Sequence, residues 1–399
     1  MYEDSDERKF GKKGQKGKKG QTKMKHRILR LYLNPWLKKI STVNSDILYV
    51  DGFAGPGVYP DGSDGSPIIA MEMANKILSE SERVSKRVET IRCVFIEKDS
   101  ENFAKLEESV GSRAKELDDR IDPVCINGEF EGWANDFINE FQDTSPPPGL
   151  VFIDPFGYSN IPFELISDLY RLRDCSLELL ITFMAGKMAQ WMVDQDHQKA
   201  ISDTLGIDDW QTEVPPDMSK DERAEQFSSI YQRELQERAG AAFTMPFEMV
   251  EETKKQVCYY LIHVTNHWEG LKVMKETMFN AGADDKFAYL GPDHSGYEDE
   301  QLSFAEFAET DNFEERIEDF AQELYSKYKG TDIIFQDLLE DTFDENVFKV
   351  SHYREAFKIL KENGKLEVEH RPNAGGNESR GFGRPDRLVF VNMSLGNFV

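Results

Sequence analysis

The chain has 399 residues; 39% of them are apolar and 27 are Phe. This composition can bury a core, so it excludes a wholly disordered protein. The longest apolar runs, such as residues 177–184, are too short to cross a bilayer. The start does not resemble a signal peptide, so we expect a cytoplasmic protein.

The net charge of −26 is unevenly distributed. Residues 8–39 contain 13 Lys and Arg and no acidic residue, whereas the rest of the chain carries a net charge of −39. An acidic surface repels nucleic acid, so phosphate contacts would have to come from this basic segment or from local basic patches. Residues 1–22 are predicted to form a disordered basic arm, either a solubilising tail or a contact to nucleic acid.

The larger part of the chain alternates between predicted helices and strands. A first helix is expected over Met24–Ile40, with Pro35 kinking or dividing it. The predicted strands are then 47–50, 90–96, 121–126, 150–153 and 177–183, and the predicted helices are 67–78, 100–115, 133–141 and 162–172. This order predicts a doubly wound α/β domain with a parallel sheet and right-handed crossovers.

The remaining segments complete that domain and start a second one. Residues 185–245 are predicted to be a mostly helical insertion, after which strand 257–264 and helix 268–279 finish the sheet of a domain spanning 23–290. Residues 291–311 are polar and acidic and are predicted to be a linker. Three helices (313–328, 333–339 and 350–362) and two strands (365–369 and 387–391) then predict a winged helix-turn-helix domain over 312–399.

The first predicted strand runs into a glycine-dense loop, Tyr49-Val-Asp-Gly-Phe-Ala-Gly-Pro-Gly57. Such a loop lets the backbone approach a nucleotide-like ligand at the carboxyl end of a strand. Its spacing is neither that of dinucleotide binders nor that of phosphate loops. Asp51 favours S-adenosylmethionine as the ligand, because its carboxylate can face the methionine ammonium. The candidate cofactor contacts in this loop are Asp51, Gly52, Phe53, Ala54, Gly55 and Gly57.

The next two strands end in polar residues that would flank the same crevice. Glu97 follows the second strand, where a carboxylate can accept hydrogen bonds from ribose hydroxyls, with Asp99 as the substitute if the register differs by two. Asn127 and Gly128 follow the third strand and either face the adenine or form a simple strand-to-helix turn.

The fourth strand ends in Asp154-Pro155-Phe156-Gly157. Amino-group methyltransferases place a similar tetrapeptide there, in which an acid or amide and a proline carbonyl hold the acceptor amine and an aromatic ring stacks on the base. Here the second proline is missing, so the aromatic residue is one place early unless Tyr158 serves instead. Asp154, Pro155 and Phe156 are therefore candidate catalytic residues, and a structural turn is the alternative.

Metal or thiol chemistry is not indicated. The four cysteines are far apart and form no C-x-x-C pair, so buried free thiols are expected. His263 and His267 have a metal-like interval, but they fall on a predicted strand and its turn without an evident third ligand.

Between Thr22 and Ala281 the chain resembles the three-Cys-motif partner protein family, on the glycine loop, on Gly65-Ser-Pro67 and on Phe152-Ile-Asp-Pro-Phe-Gly157. The trailing module resembles the winged helix domain attached to such proteins. The same stretches are similar to bacterial large-subunit ribosomal RNA adenine-N6 methyltransferases, which pair a Lys-His with such a loop. That similarity implies that His26, Glu97 and Gly128 contact the cofactor and that Asp154 positions the target amine.

The sequence therefore predicts a Rossmann-like S-adenosylmethionine-dependent methyltransferase that acts on an amino group of nucleic acid, RNA rather than DNA. The alternative is a catalytically silent, methyltransferase-like protein that works with a three-cysteine-motif partner. A nuclease-like enzyme is disfavoured because no cluster of metal-binding carboxylates is apparent.

Overall fold

The structure is a computed structural model that describes residues 20–80, 82–155, 161–172, 177–251, 255–282, 287–290, 313–371 and 382–392. The chain divides into two compact units. The first comprises Met1–Ala281 and Phe287–His294, and the second comprises Gly282–Lys286 and Ser295–Val399. The predicted linker at 291–311 lies outside the described residues, as does the predicted basic arm up to residue 19.

The first unit is an α/β domain. Its helices are α1 (Gly20–Ile40), α2 (Ser66–Glu80), α3 (Glu82–Arg87), α4 (Ser100–Ala114), α5 (Phe130–Glu140), α6 (Phe163–Tyr170), α7 (Ala185–Trp191), α8 (Gln195–Leu205), α9 (Lys220–Glu237) and α10 (Trp268–Ala281). Its strands are β1 (Asp46–Asp51), β2 (Thr90–Glu97), β3 (Ile121–Asn127), β4 (Gly149–Ile153), β5 (Leu177–Phe183), β6 (Phe243–Val250), β7 (Val257–Thr265) and β8 (Ala288–Tyr289).

These strands form one sheet in the order β3-β2-β1-β4-β5-β7-β6-β8. Strands β1 to β5 pair in parallel, whereas β7 is antiparallel to both of its neighbours. The chain order reverses between β1 and β4, which creates a topological switch point where ligands bind in open α/β sheets. The predicted parallel sheet is thus confirmed for its first five strands, and β7 is the exception.

Helices cover both faces of the sheet, so its central strands are apolar along almost their whole length. In β1, Leu48 and Val50 belong to the core cluster that also contains residues of α5, α6, α7 and α9. The Tyr49 ring lies on the other face, with its centroid 6.4 Å from that of Phe95. Successive side chains of a strand point to opposite faces of the sheet. A shift of one residue would therefore exchange the two faces and change which residue lies at the crevice.

The short elements α3 and β8 were not predicted, and two longer elements also differ from the sequence-based expectation. Helix α1 continues through Pro35 and is not divided there. Strand β6 begins at Phe243, inside the segment predicted to be helical, and was not predicted because Pro246 lies within it. A proline has no N–H to donate and is tolerated where a strand is unpaired on one side. Pro246 pairs with Ile262 of β7, and β8 reaches only Glu248 and Met249.

The second unit contains the predicted three helices and a small antiparallel sheet. Its elements are α11 (Phe313–Tyr328), β9 (Asp332–Ile334), α12 (Phe335–Thr342), α13 (Val350–Glu362), β10 (Leu366–Glu369) and β11 (Arg387–Phe390). The strand order is β10-β11-β9, so the sheet has three strands and not two. The fully buried rings of Phe335, Tyr353 and Phe357 form its core. None of the described helices in either unit is long and apolar enough to cross a membrane.

Candidate functional site

The glycine loop after β1 is folded tightly against the neighbouring strands. Gly55 and Gly57 have φ values of 61° and 76°, a backbone conformation that residues other than glycine rarely adopt. The Gly52 N–H donates to the Phe152 carbonyl at 2.9 Å, and the Ala54 N–H donates to the Ile96 carbonyl at 2.8 Å. The loop is therefore anchored to both β4 and β2, and its backbone lies at the switch point.

Asp51, the last residue of β1, is completely buried. Its Oδ1 accepts the Phe53 N–H at 3.2 Å, whereas its Oδ2 has no hydrogen-bond partner among the described residues. Burial raises the pKa of Asp51 to about 7, although the nearby Ser66 hydroxyl and the Phe53 N–H oppose the shift. Asp154 and Glu97 raise it further by charge repulsion. This carboxylate lacks a cation in the described structure.

Glu97, at the end of β2, is 7% exposed and holds the glycine loop directly. Its Oε2 accepts the Gly55 N–H at 2.8 Å, and its Oε1 accepts the Asp99 N–H at 2.7 Å. Burial raises the pKa of Glu97, and these two N–H groups oppose that shift. Each oxygen keeps a further lone pair, so the carboxylate can still accept hydrogen bonds from a ligand. Asp99 instead caps α4, accepting the Asn102 N–H at 2.8 Å.

Asn127 and Gly128 lie beside Glu97 but are engaged in the turn after β3. The Asn127 amide donates to the Glu97 carbonyl at 2.9 Å, and the Gly128 N–H donates to the same carbonyl at 3.1 Å. The Asn127 side chain is exposed, and its Oδ1 accepts from the Ser100 hydroxyl. Of the two interpretations left open by the sequence, these bonds favour a structural turn for the Asn127 side chain.

Asp154, after β4, has a cation within reach. Lys25 Nζ lies 2.5 Å from each carboxylate oxygen, and the Thr182 hydroxyl donates to Oδ1 at 2.6 Å. Both charged side chains are largely buried, at 12% and 17% exposure. The Lys25 ammonium also lies over the Tyr259 ring, 5.2 Å from its centroid. Asp154 is thus satisfied by its own chain.

Of the other two candidate catalytic residues, Pro155 follows Asp154 in the described structure and is buried, and Phe156 lies outside the described residues together with Tyr158. Pro155 lines a small cavity of about 30 Å³ that also involves Ile153, Thr182 and Tyr231. A cavity of this size holds about one water molecule and not a base.

His26 is buried on α1, and its ring centroid lies 5.9 Å from that of Tyr59. Burial raises the pKa of Tyr59, and the nearby charges of Asp154 and Asp51 raise it further. Tyr59, and with it the neighbouring His26, therefore lies in the vicinity of these two carboxylates. Phe53 packs on Phe130 at 5.9 Å between ring centroids, which directs this loop residue toward the core.

The structure brings Asp51, Glu97 and Asp154 to one edge of the sheet. Asp51 ends β1, Glu97 ends β2 and Asp154 follows β4, and these three strands are adjacent. Sequence reasoning did not single out Tyr59, Thr182 or Tyr259. Lys25 appeared only as part of the resemblance. The available signals were positional: Thr182 lies near the end of β5, next to β4, and Lys25 directly precedes His26.

No group of residues able to hold a metal ion occurs in the described parts of the chain. His263 Nε2 lies 2.8 Å from Glu178 Oε2 and 3.0 Å from the Tyr32 hydroxyl, so this histidine belongs to a buried polar cluster. Cys93, Cys125 and Cys258 are free thiols, but of these three only Cys93 is buried, whereas Cys125 and Cys258 are partly exposed; Cys175 is outside the described residues.

The basic segment, residues 8–39, offers fewer unpaired cations for phosphate binding than its composition suggested. Four of its 13 basic residues form ion pairs from α1: Lys25 with Asp154, Arg30 with Asp64 and Glu72, Lys38 with Glu80, and Lys39 with Glu269. Seven of the remainder precede Gly20 and lie outside the described residues.

Comparisons with known proteins support the architecture only. A family model described as a GMT-like wHTH domain matches residues 296–373, and no curated protein matches the chain. An O-methyltransferase from Bacillus cereus solved with SAH is 13% identical, with 59% of this chain and 80% of that chain covered and a TM-score of 0.30. Trm1 from Pyrococcus horikoshii, solved with S-adenosyl-L-methionine, is 12% identical, with 93% and 90% covered and a TM-score of 0.36.

A precorrin-6y C5,15-methyltransferase from Geobacter metallireducens GS-15 is 10% identical, with 59% and 87% covered and a TM-score of 0.26. Similarities this distant do not identify a substrate. The fold is therefore assigned from the strand order and from the match to the winged helix model. The protein has a Rossmann-like α/β fold followed by a winged helix domain.

Proposed function

We propose that the chain is an S-adenosylmethionine-dependent methyltransferase that acts on an amino group of nucleic acid. The observation that carries this proposal is the buried Asp51 carboxylate, which has an unpartnered oxygen and no cation beside a glycine loop at the switch point. A ligand with an ammonium group would supply the missing charge and lower the pKa of this carboxyl. S-adenosylmethionine carries such an ammonium, and when bound it would supply an electrophilic methyl group.

The other strand ends suit the rest of the same ligand. Glu97 has lone pairs left for two ribose hydroxyls and is fixed by the Gly55 and Asp99 N–H groups. Gly55 and Gly57 carry no side chain, so the backbone of the loop allows near approach of a ligand at these two positions. These residues would bind and orient the cofactor, and the residues of β4 would hold the acceptor.

Asp154 is the acceptor-binding residue in this proposal, and Lys25 determines how it acts. The Lys25 ammonium now makes the contacts to Asp154 that an acceptor amine would make. The incoming amine would therefore displace Lys25 from at least one oxygen, while Thr182 keeps the carboxylate oriented through its 2.6 Å hydrogen bond. Positioning of this kind supplies much of the rate enhancement when no covalent intermediate is required.

Titration calorimetry with S-adenosylhomocysteine tests the proposal most directly. The wild type should bind, and Asp51→Asn should bind at least tenfold more weakly because the buried charged contact is lost. Asp61→Asn, which neutralises an exposed carboxylate in the same loop, is the matched control and should bind like the wild type. Folded wild-type protein that gives no heat with excess ligand would exclude the methyltransferase function.

A second function is favoured by one observation: Asp154 is fully satisfied by Lys25 and Thr182, and Phe156 replaces the second proline of the usual tetrapeptide. The chain would then be a catalytically silent protein that keeps the fold and works with a three-cysteine-motif partner. Transfer of labelled methyl groups to total RNA and DNA separates the two. Cofactor binding without transfer to any nucleic acid would favour the silent protein.

Nucleic-acid contact is assigned by this proposal to the arm before Gly20 and to the wing. In the wing, Arg387 is already paired with Asp332 and Glu369, which reduces its capacity for phosphate. Arg371 is exposed after β10, and Arg380 lies outside the described residues. The arm is therefore the stronger of the two candidates.

A further inference from the structure

The second unit contains a pocket of about 490 Å³ at the carboxyl-terminal end of α13. It is lined by Lys358, Lys361 and Glu362 of that helix, by His370 after β10, and by Phe382 before β11. This volume is within the range of sites that hold small organic ligands. The candidate site of the first unit uses none of these residues.

The pocket is a local positive region on an acidic unit. The described segments 313–371 and 382–392 carry 16 acidic and 11 basic residues, so the unit as a whole repels phosphate. Lys358 and Lys361 are exposed, and neither forms an ion pair with another described residue. The negative end of the helix dipole also disfavours an anion here, so any phosphate would depend on these two ammonium groups.

The aromatic wall of the pocket is fixed in place. The Phe382 ring lies 5.4 Å from that of Phe357 between centroids, and its carbonyl accepts from Arg354 Nε at 3.1 Å. His370 Nδ1 lies 3.0 Å from Asp386 Oδ2, which also accepts the Gly383 N–H at 2.7 Å. The half-buried Phe382 side chain thus presents a preorganised apolar surface beside two cations.

We propose that this pocket binds one nucleotide, with its base against Phe382 and its phosphate at Lys358 and Lys361. An aromatic ring beside paired ammonium groups is the combination that proteins use to hold unpaired bases and their backbone. Glu362, at the rim, weakens the attraction for phosphate. The site holds an unstacked nucleotide and does not require α13 to enter a duplex groove, and it stands whether or not the first unit transfers methyl groups.

The test uses the full chain and fluorescence anisotropy with labelled single-stranded oligoadenylate and oligouridylate of eight nucleotides, at several salt concentrations. Lys358→Gln should weaken binding about three- to tenfold and lower the salt dependence by roughly one phosphate contact. Lys329→Gln removes an exposed charge of the same unit outside the pocket and should change neither. Glu362→Gln should have the opposite effect and tighten binding severalfold.

Phe382→Leu separates stacking from charge, because it should weaken binding roughly tenfold while leaving the salt dependence unchanged. Competition with adenosine monophosphate distinguishes a free nucleotide, which would displace the strand completely, from a strand that needs neighbouring contacts. Equal effects of Lys358→Gln and Lys329→Gln would overturn the proposal, as would a Glu362→Gln variant that does not bind more tightly. Both comparisons rest on exposed side chains, so they remain decisive if Phe382→Leu fails to fold.

Discussion

The two carboxylates at the ends of β1 and β4 have opposite electrostatic environments although their strands are neighbours. Asp51 is fully buried, has an oxygen without a partner and has no cation, and its pKa is raised to about 7. Asp154 is bound by Lys25 and Thr182. A buried carboxylate without a cation is costly, and in the proposed function a ligand brings the missing charge. A carboxylate with its own cation needs no ligand to explain it.

The proposed function divides the candidate site into a cofactor side, around β1 and β2, and an acceptor side, around β4 and β5. In this proposal the cofactor side binds a cationic ligand, whereas the acceptor side has an internal ammonium in the position expected for the substrate. Substitutions on the two sides test whether this division is functional.

The largest effect is expected on the acceptor side. Asp154→Ala should reduce methyl transfer to nucleic acid by at least about a hundredfold, because the acceptor amine loses the group that orients it. Cofactor affinity should change less than about twofold, as measured by calorimetry on the same samples. Asp154→Asn retains an acceptor oxygen and is expected to keep intermediate activity. An Asp154→Ala variant as active as the wild type would show that this carboxylate is only a turn residue.

Lys25→Met should destabilise the protein by about 3–5 kcal/mol in urea unfolding, since it leaves a largely buried carboxylate without its cation. Restoring neutrality with Lys25→Met/Asp154→Asn should recover most of that loss. Lys38→Met, which removes a half-exposed cation from the same helix, is the control and should cost less than about 1 kcal/mol. A double variant no more stable than Lys25→Met would show that the pair is not coupled.

The cofactor side should respond to pH. In the proposed function, ligand binding requires the ionised Asp51. As the pH increases toward 7, the affinity for S-adenosylhomocysteine should therefore rise about tenfold per pH unit, and above pH 7 it should level off. Without ligand, the raised pKa means that the folded state holds this proton more tightly than the unfolded state. The stability from this group is therefore present below about pH 4 and lost as the pH rises through 7. Asp51→Asn should remove both dependences, and a pH-independent wild-type affinity would contradict the assignment.

A smaller effect is expected at Glu97, which supports both the loop and the ligand. Glu97→Ala should weaken cofactor binding by about 1–3 kcal/mol, the usual loss for a hydrogen bond to a buried charge. Asp99→Asn is the matched control, because asparagine also caps a helix. Equal affinities of the two variants in calorimetry would limit Glu97 to a structural role.

The smallest effect concerns the basic arm. Deletion of residues 1–19 leaves α1 intact from Gly20. It should reduce the slope of log affinity against log salt concentration for RNA binding by about 0.7–0.9 for each phosphate contact that is lost. Gel-shift titrations at four salt concentrations would measure it. An unchanged slope would identify the arm as a solubility tail.

The amino-acid sequence by itself determined the alternation of strands and helices and the three acidic strand ends. Local periodicity encodes buried strands, and parallel strands bring their carboxyl ends to one edge, so Asp51, Glu97 and Asp154 could be predicted to converge. The winged helix was likewise predictable from its helices and turn. Strand β9 was missed because three residues, Asp332–Ile334, carry too little pattern to distinguish a strand from the start of α12.

Only the tertiary structure decided how these groups are paired. Lys25 and Asp154 are 129 residues apart, and no local pattern indicates that they meet. The basic residues of α1 look available in the sequence, but folding places acidic side chains beside four of them. Strand β6 is stabilised by pairing with β7 in spite of Pro246. Ion pairs and strand neighbours depend on long-range packing, which is why the charge environment that separates Asp51 from Asp154 is a property of the fold.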